Sequence, residues 1–205
     1  MAARFITFEG GEGAGKTTQI ARLAERLRAK GETVVTTREP GGTPGSEAIR
    51  ALLVEGEPGR WNGRTEALLM NAARADHVAR LILPALAGDK WVLCDRYGHS
   101  TLAYQGAARG LDMKALTALH NFASDGLWPA RTFLLDLPVV DGLARAGKRG
   151  GTEARFEAED IAFHQKVRAG FLALLDEDSC MVRVDAMASE DDVADTIWRN
   201  VEARF

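Results

Sequence analysis

Residues 10–17 read Gly-Gly-Glu-Gly-Ala-Gly-Lys-Thr, a glycine, four residues and then Gly-Lys-Thr, and few folds have a place for that run. A β-rich apolar stretch, Arg4-Phe5-Ile6-Thr7-Phe8, precedes it. Ile20, Leu23 and Leu27 follow at helical spacing, with Gly31 as a stop. Strand, glycine loop and helix together aim backbone N–H groups and a helix N-terminus at one point, which suits a polyphosphate. In such a loop the lysine, here Lys16, reaches the β- and γ-phosphates, and the hydroxyl, here Thr17, takes a magnesium ion. Gly10, Gly11, Glu12, Gly13, Ala14, Gly15, Lys16, Thr17 and Thr18 are therefore expected to hold a nucleoside triphosphate. A chance glycine turn would explain neither flank.

The chain has 205 residues, 46% hydrophobic and 27% charged, which fits one globular domain able to bury a core without staples. Cys94 and Cys180 form no spaced cluster, so neither a disulfide framework nor a zinc site is indicated. With the first strand predicted from residue 4, no signal peptide is expected. No apolar run approaches the roughly 18 residues of a membrane span. A net charge of −3 gives no overall pull toward nucleic acid. A cytoplasmic enzyme with no nucleic-acid or membrane partner is expected.

Helical and extended segments alternate along the chain. Strands are predicted at 4–8, 32–37, 90–94, 131–136 and 181–184. Thr43-Pro44 reads as an N-cap and first-turn proline of a helix to about Val54. Residues 64–87 carry helical periodicity, with Pro84 expected to kink or break the helix near its end and Gly88 to stop it. Asp112 is expected to cap a helix with Leu116, Leu119 and Phe122 inward. Pro138 opens a helix to about Lys148, and Phe163, Val167, Phe171 and Leu174 mark another. Ser189 to Asp192 resembles a capping box ahead of Val193, Ile197 and Val201. Strands separated by helices imply right-handed crossovers and a parallel sheet covered on both faces. The expectation is an α/β, three-layer phosphate-loop fold: five parallel strands flanked by helices, in one domain over 1–205.

Ligands of such sheets bind at the carboxyl ends of the strands. After the second strand comes Arg38-Glu39-Pro40-Gly41-Gly42-Thr43, and after the third comes Asp95-Arg96-Tyr97-Gly98-His99-Ser100-Thr101-Leu102-Ala103-Tyr104-Gln105-Gly106. Residues 145–156 hold Arg145, Lys148, Arg149 and Arg155 among glycines, where a basic lid would sit. A site built for phosphoryl transfer needs positive charge and positioning more than covalent chemistry. A phosphate acceptor is already largely dianionic at neutral pH, so His99 is read as supporting structure rather than as a base. His77, His120 and His164 fall in helical segments and are read as packing or solvated residues.

These residues carry a family resemblance. Phe8 to Thr18, Arg38 to Thr43, Asp95-Arg96-Tyr97 and Ala103-Tyr104-Gln105-Gly106 resemble the bacterial thymidylate kinases, over nearly the whole chain. The resemblance implies transfer of the γ-phosphoryl group of ATP to dTMP, with Mg²⁺. It implies that Arg96 clamps the acceptor phosphate and that Thr17 and Asp95 serve the metal, Asp95 through water. It places Glu12 on the deoxyribose 3′-hydroxyl and Tyr104 where a ribose 2′-hydroxyl would be. Arg74 matches the arginine addressing the thymine edge, with Ser100, Thr101 and Gln105 nearby, and Arg38 supports the acceptor end of the cleft. Met70 stands where many relatives have a phenylalanine stacked on thymine; a core methionine is the other reading. The phosphate loop has no arginine, as in the bacterial subgroup in which a lid arginine serves the transition state. Arg155, in Ala154-Arg155-Phe156-Glu157, is the first choice for that role and Arg149 the second. Asp185-Ala186 matches the loop that passes the adenine, and relatives are homodimers.

Rival classes fare worse. A GTPase switch would accommodate Asp95-Arg96-Tyr97-Gly98, yet no lysine lies in an Asn-Lys-x-Asp or Thr-Lys-x-Asp run. A partitioning-type ATPase would want a lysine early in the glycine loop, where this chain has Glu9 and Gly11. A phosphate-loop kinase for another small molecule or nucleoside monophosphate stays open.

Overall fold

A computed structural model describes residues 4–57, 59–149 and 159–205. Five parallel strands, β1 (Phe5–Glu9), β2 (Val34–Arg38), β3 (Trp91–Asp95), β4 (Arg131–Asp136) and β5 (Met181–Asp185), lie in the order β2-β3-β1-β4-β5. The strand carrying the phosphate loop is thus central. Its register sets Phe8 beside Asp95 on one side and Phe133 on the other.

Alternate residues of each strand serve opposite faces, because side chains in a strand alternate. Ile6, Phe8, Leu93, Phe133 and Leu135 meet α1 (Lys16–Ala29) and a C-terminal helix over Glu190–Arg204. The stripes Ile20, Leu23, Leu27 and Val193, Ile197, Val201 close that layer. Phe5, Val92 and Cys94 face the other way, toward Val78, Ile82 and Tyr97. Leu134 does likewise, toward Tyr104, Phe163, Val167 and Phe171. The three-layer α/β expectation holds, with helix caps where the sequence placed them. Thr43 accepts from the Ser46 amide ahead of α2 (Pro44–Val54), and Asp112 from Ala115 ahead of a helix over Met113–Ser124. Ser189 does the same for Asp192.

Three local features depart from the sequence reading. The 64–87 helix does not break: α3 (Gly63–His77) widens into a π-helical turn at Val78–Ile82 and resumes as α4 (Leu83–Ala87). Across the wide turn the Leu83 amide donates to the Val78 carbonyl, and Pro84, which has no N–H to give, falls in the first turn of α4. The segment after β3 is helical as well, α5 (Gly98–Thr101) running into a π-turn over Leu102–Ala108. Phe122 points outward and is 86% exposed. The buried stripe of its helix, α6 (Met113–Ser124), is Leu116, His120 and Ser124, and Phe122 lies about 120° around from Leu116. Among the described residues, two further helices lie around β4 and β5: α7 (Val139–Arg149) and α8 (Ile161–Glu177). The C-terminal helix is α9 (Glu190–Arg204).

Candidate active site

The loop between β1 and α1 is shaped by its glycines. Gly10 has φ +137° and Gly13 φ +68°, conformations open to glycine and strained for other residues. A Cβ on Gly10 would run into the Leu135 carbonyl, and one on Gly13 into the carbonyl of Gly142 on α7. The loop therefore lies directly on β4 and α7. Lys16 donates to the Gly10 and Gly11 carbonyls at 3.3 and 3.0 Å, and Ala14 is buried beneath. Burial, reinforced by repulsion from Arg96, lowers the Lys16 pKa. Thr17 and Thr18 open α1 at the surface, and Thr17 Oγ1 donates to Asp95 Oδ2 at 3.0 Å.

Arg96 joins this loop to the end of β3. Its own backbone is left-handed, φ +66°, and its amide donates to the Phe8 carbonyl at 2.9 Å. From there the guanidinium reaches Gly10 O at 3.0 Å, Ser100 Oγ at 3.3 Å and Glu12 Oε1 at 2.8 Å. It lies 5.1 Å from the centre of the Tyr104 ring. The Tyr104 hydroxyl donates to the same Glu12 oxygen at 2.9 Å. Burial alone would raise the Glu12 pKa, but Arg96, Lys16 and the Tyr104 hydrogen bond together hold it down at about 2. Glu12 is a carboxylate kept ionised inside a phosphate loop.

Two further buried networks back this cluster. Glu9, at the end of β1, accepts from the Tyr97 amide at 2.8 Å and from Ser100 Oγ at 2.6 Å. Burial pushes its pKa up. Glu39, after β2, accepts from Arg74 Nε at 2.8 Å and lies 3.0 Å from His77 Nδ1. Arg74 also donates to Asn71 Oδ1 at 2.9 Å and Thr101 Oγ1 at 3.1 Å, and sits 5.1 Å from the Tyr97 ring centre. Glu9, Glu39 and His77 drew no role from the sequence alone. For Glu9 the available signal was a carboxylate at the carboxyl end of a largely apolar strand.

The remaining predicted positions scatter. Gln105 is buried and donates to Glu66 at 3.3 Å, away from the Glu12 cluster. Arg38 reaches Glu47 on α2 at 3.1 Å and is half exposed. Met70 is half-buried on α3. Arg155 lies outside the described residues, as do the other positions of the Ala154–Glu157 run, and of Arg149 only the backbone, closing α7, is described. Among the described residues no three His, Cys, Asp or Glu gather as a metal site. Mg²⁺ commonly takes one or two protein oxygens and fills its octahedron with phosphate and water, so the Thr17–Asp95 pair beside the loop fits that ion.

Comparison with known proteins decides the family. The family model for thymidylate kinase matches residues 8–197. The chain belongs to the thymidylate kinase family. It is 52% identical to a thymidylate kinase of Magnetococcus marinus, across all of this chain and 98% of that one. A thymidylate kinase of Thermomicrobium roseum is 54% identical across 96% of this chain and 93% of its own. The crystal structure of thymidylate kinase from Ehrlichia chaffeensis superposes with a TM-score of 0.79 at 31% identity, over 98% of this chain and 99% of that one. Membership of this kinase family makes the chain an enzyme that acts on nucleotides. No described helix is long and apolar enough to cross a membrane.

Proposed function

We propose that this chain transfers the γ-phosphoryl group of ATP to dTMP, giving dTDP and ADP. The observation that supports it most is Glu12, a carboxylate within the phosphate loop tied to Arg96 and Tyr104. A loop that only hydrolysed a triphosphate would gain nothing from a buried negative charge beside its phosphates. A carboxylate there serves an acceptor hydroxyl, here the 3′-hydroxyl of the sugar.

Gly10 to Thr18 would hold the triphosphate of ATP, with Lys16 turning from its loop carbonyls to the β- and γ-phosphates. Thr17 and Asp95 would hold Mg²⁺, which when bound supplies charge neutralisation between the phosphates. Arg96 sets the acceptor phosphate in line, and Arg38 supports that end of the cleft. Arg74, Ser100, Thr101, Gln105 and Met70 line the side toward the base, and Tyr104 closes the space of a 2′-hydroxyl. An acceptor phosphate oxygen attacks the γ-phosphorus while the bond to the β–γ bridging oxygen breaks, and ADP leaves with that electron pair. No proton need be removed, because the acceptor is already largely dianionic. Arg155, with Arg149 beside it in sequence, meets the charge that develops on the transferring group.

Phe122 on α6 is the most exposed large apolar side chain among the described residues, and Leu68 on the adjoining α3 is 59% exposed. That supports a homodimer through α3 and α6; a cytoplasmic setting with no nucleic-acid or membrane partner belongs to the same proposal and rests on the modest net charge of −3. The deciding experiment measures ADP release with dTMP, other nucleoside monophosphates, nucleosides, and no acceptor. Fastest turnover on dTMP is expected; faster turnover on another acceptor would reassign the substrate. Light scattering of Phe122→Asp beside the parent protein checks the dimer.

A further inference from the structure

His164 is 5% exposed, yet its Nε2 meets no hydrogen-bond partner among the described residues. Buried polar nitrogens are rarely left so. The side chain lines a crevice between α7 and α8 whose other walls include Gly11, Glu12, Gly142, Leu143 and Arg168. Its free volume is about 20 Å³, sufficient for one water molecule, which needs two to four polar partners. The Arg168 Nε and Nη2 groups there are already spent on Asp136, at 2.7 and 3.0 Å. Gly11 and Glu12 of the phosphate loop line the crevice with it, and His164 is within electrostatic reach of Glu12. Phe163, the neighbouring residue on α8, packs its ring 6.1 Å from that of Tyr104, so this turn of the helix backs one partner of the site's carboxylate.

We propose that His164 is a positioning residue for Glu12: through one water shared in this crevice, its Nε2 braces the Gly11–Glu12 segment against α8. The proposal rests on the reading of Glu12 as the carboxylate that takes the acceptor's 3′-hydroxyl. It makes His164 part of acceptor selection without any contact to substrate. Its loss should therefore be felt more by acceptors that carry the hydroxyl than by those that lack it.

The test compares kcat/KM for dTMP and for 3′-deoxythymidine monophosphate in the parent enzyme, His164→Leu, His164→Gln and Glu12→Gln, each checked for folding by circular dichroism. His164→Leu is expected to shrink the preference for dTMP roughly fivefold to tenfold. The change should lie mainly in KM for dTMP, with any change in KM for ATP the same whichever acceptor is used and His164→Gln restoring most of the preference. An unchanged preference, or equal losses on both acceptors, would overturn the proposal and leave His164 a packing residue. Glu12→Gln separates the two readings. If it leaves the preference intact, the assignment of Glu12 itself fails. If it collapses the preference while His164→Leu does not, only the role of His164 fails. Should His164→Leu not fold, a crystal structure of the parent enzyme decides: a water bonded to Nε2 and to the loop supports the proposal, and none there overturns it.

Discussion

Lys16 spends its ammonium on two carbonyls of its own loop, bonds that shape the loop but that a triphosphate would replace. Lys16→Ala should therefore fold normally and lose nearly all ADP formation; a folded variant with near-normal turnover would remove Lys16 from the chemistry. Glu12 makes a prediction about pH. Its pKa is lowered from an ordinary 4.5 to about 2, so its contribution to stability is fully present above about 4.5 and is lost as pH falls through about 2. At neutral pH that contribution is on the order of 3 kcal/mol. Chemical denaturation of the parent enzyme between pH 6 and 2 should show a steeper acid loss than Glu12→Gln, and parallel curves would contradict the depressed pKa. Arg155, assigned from the sequence, should behave as a transition-state group. Arg155→Ala is expected to lower kcat by about 10³ with little change in KM, measured at saturating ATP and dTMP. A loss under about tenfold, or one confined to KM for ATP, would place the catalytic arginine elsewhere.

At the scale of elements, the contact that matters most is between the phosphate loop and α7, which meet backbone to backbone. A Cβ on Gly142 would sit 2.5 Å from the Glu12 carbonyl, so Gly142→Ala must push helix and loop apart. A cost of about 1–3 kcal/mol is expected, read as a lower Tm and a reduced kcat. Gly147→Ala on the same helix meets nothing within 4 Å among the described residues and should leave kcat unchanged; equal effects at the two positions would deny the close approach. The elements themselves were largely legible in the sequence, because periodicity and caps act locally. Thr43, Asp112 and Ser189 each cap the helix they were expected to open. The π-turns were not, since an extra residue in one turn answers to packing from elsewhere: Gly170 of α8 has room only for a hydrogen against Ala107. Phe122 misled because a phenylalanine reads as core wherever it falls near an apolar stripe. In the site, the loop, Arg96 and Tyr104 announced themselves by motif. The Glu9 and Glu39–His77 networks depend on which strand ends lie side by side, and strand order is not written in any one segment.

Across the whole molecule, the two halves of the site hang on strands of unequal security. β1 is hydrogen-bonded on both sides and fully buried, whereas β2 is an edge strand with partly exposed residues, paired only to β3. Local openings begin where burial and pairing are least. Amides of Val34–Arg38 should exchange with deuterium well before those of Phe5–Glu9, and in denaturant below the unfolding midpoint affinity for dTMP should fall before affinity for ATP. Loss of both together would mean that the sheet opens as a single unit. The acceptor then has a second effect on its own binding site. In the pose proposed above, dTMP would bridge Glu12 at the centre of the sheet to the Arg38 corner at its rim and act as a clasp, slowing exchange along β2 more than along β1; a protein short of acceptor would then fray from that edge.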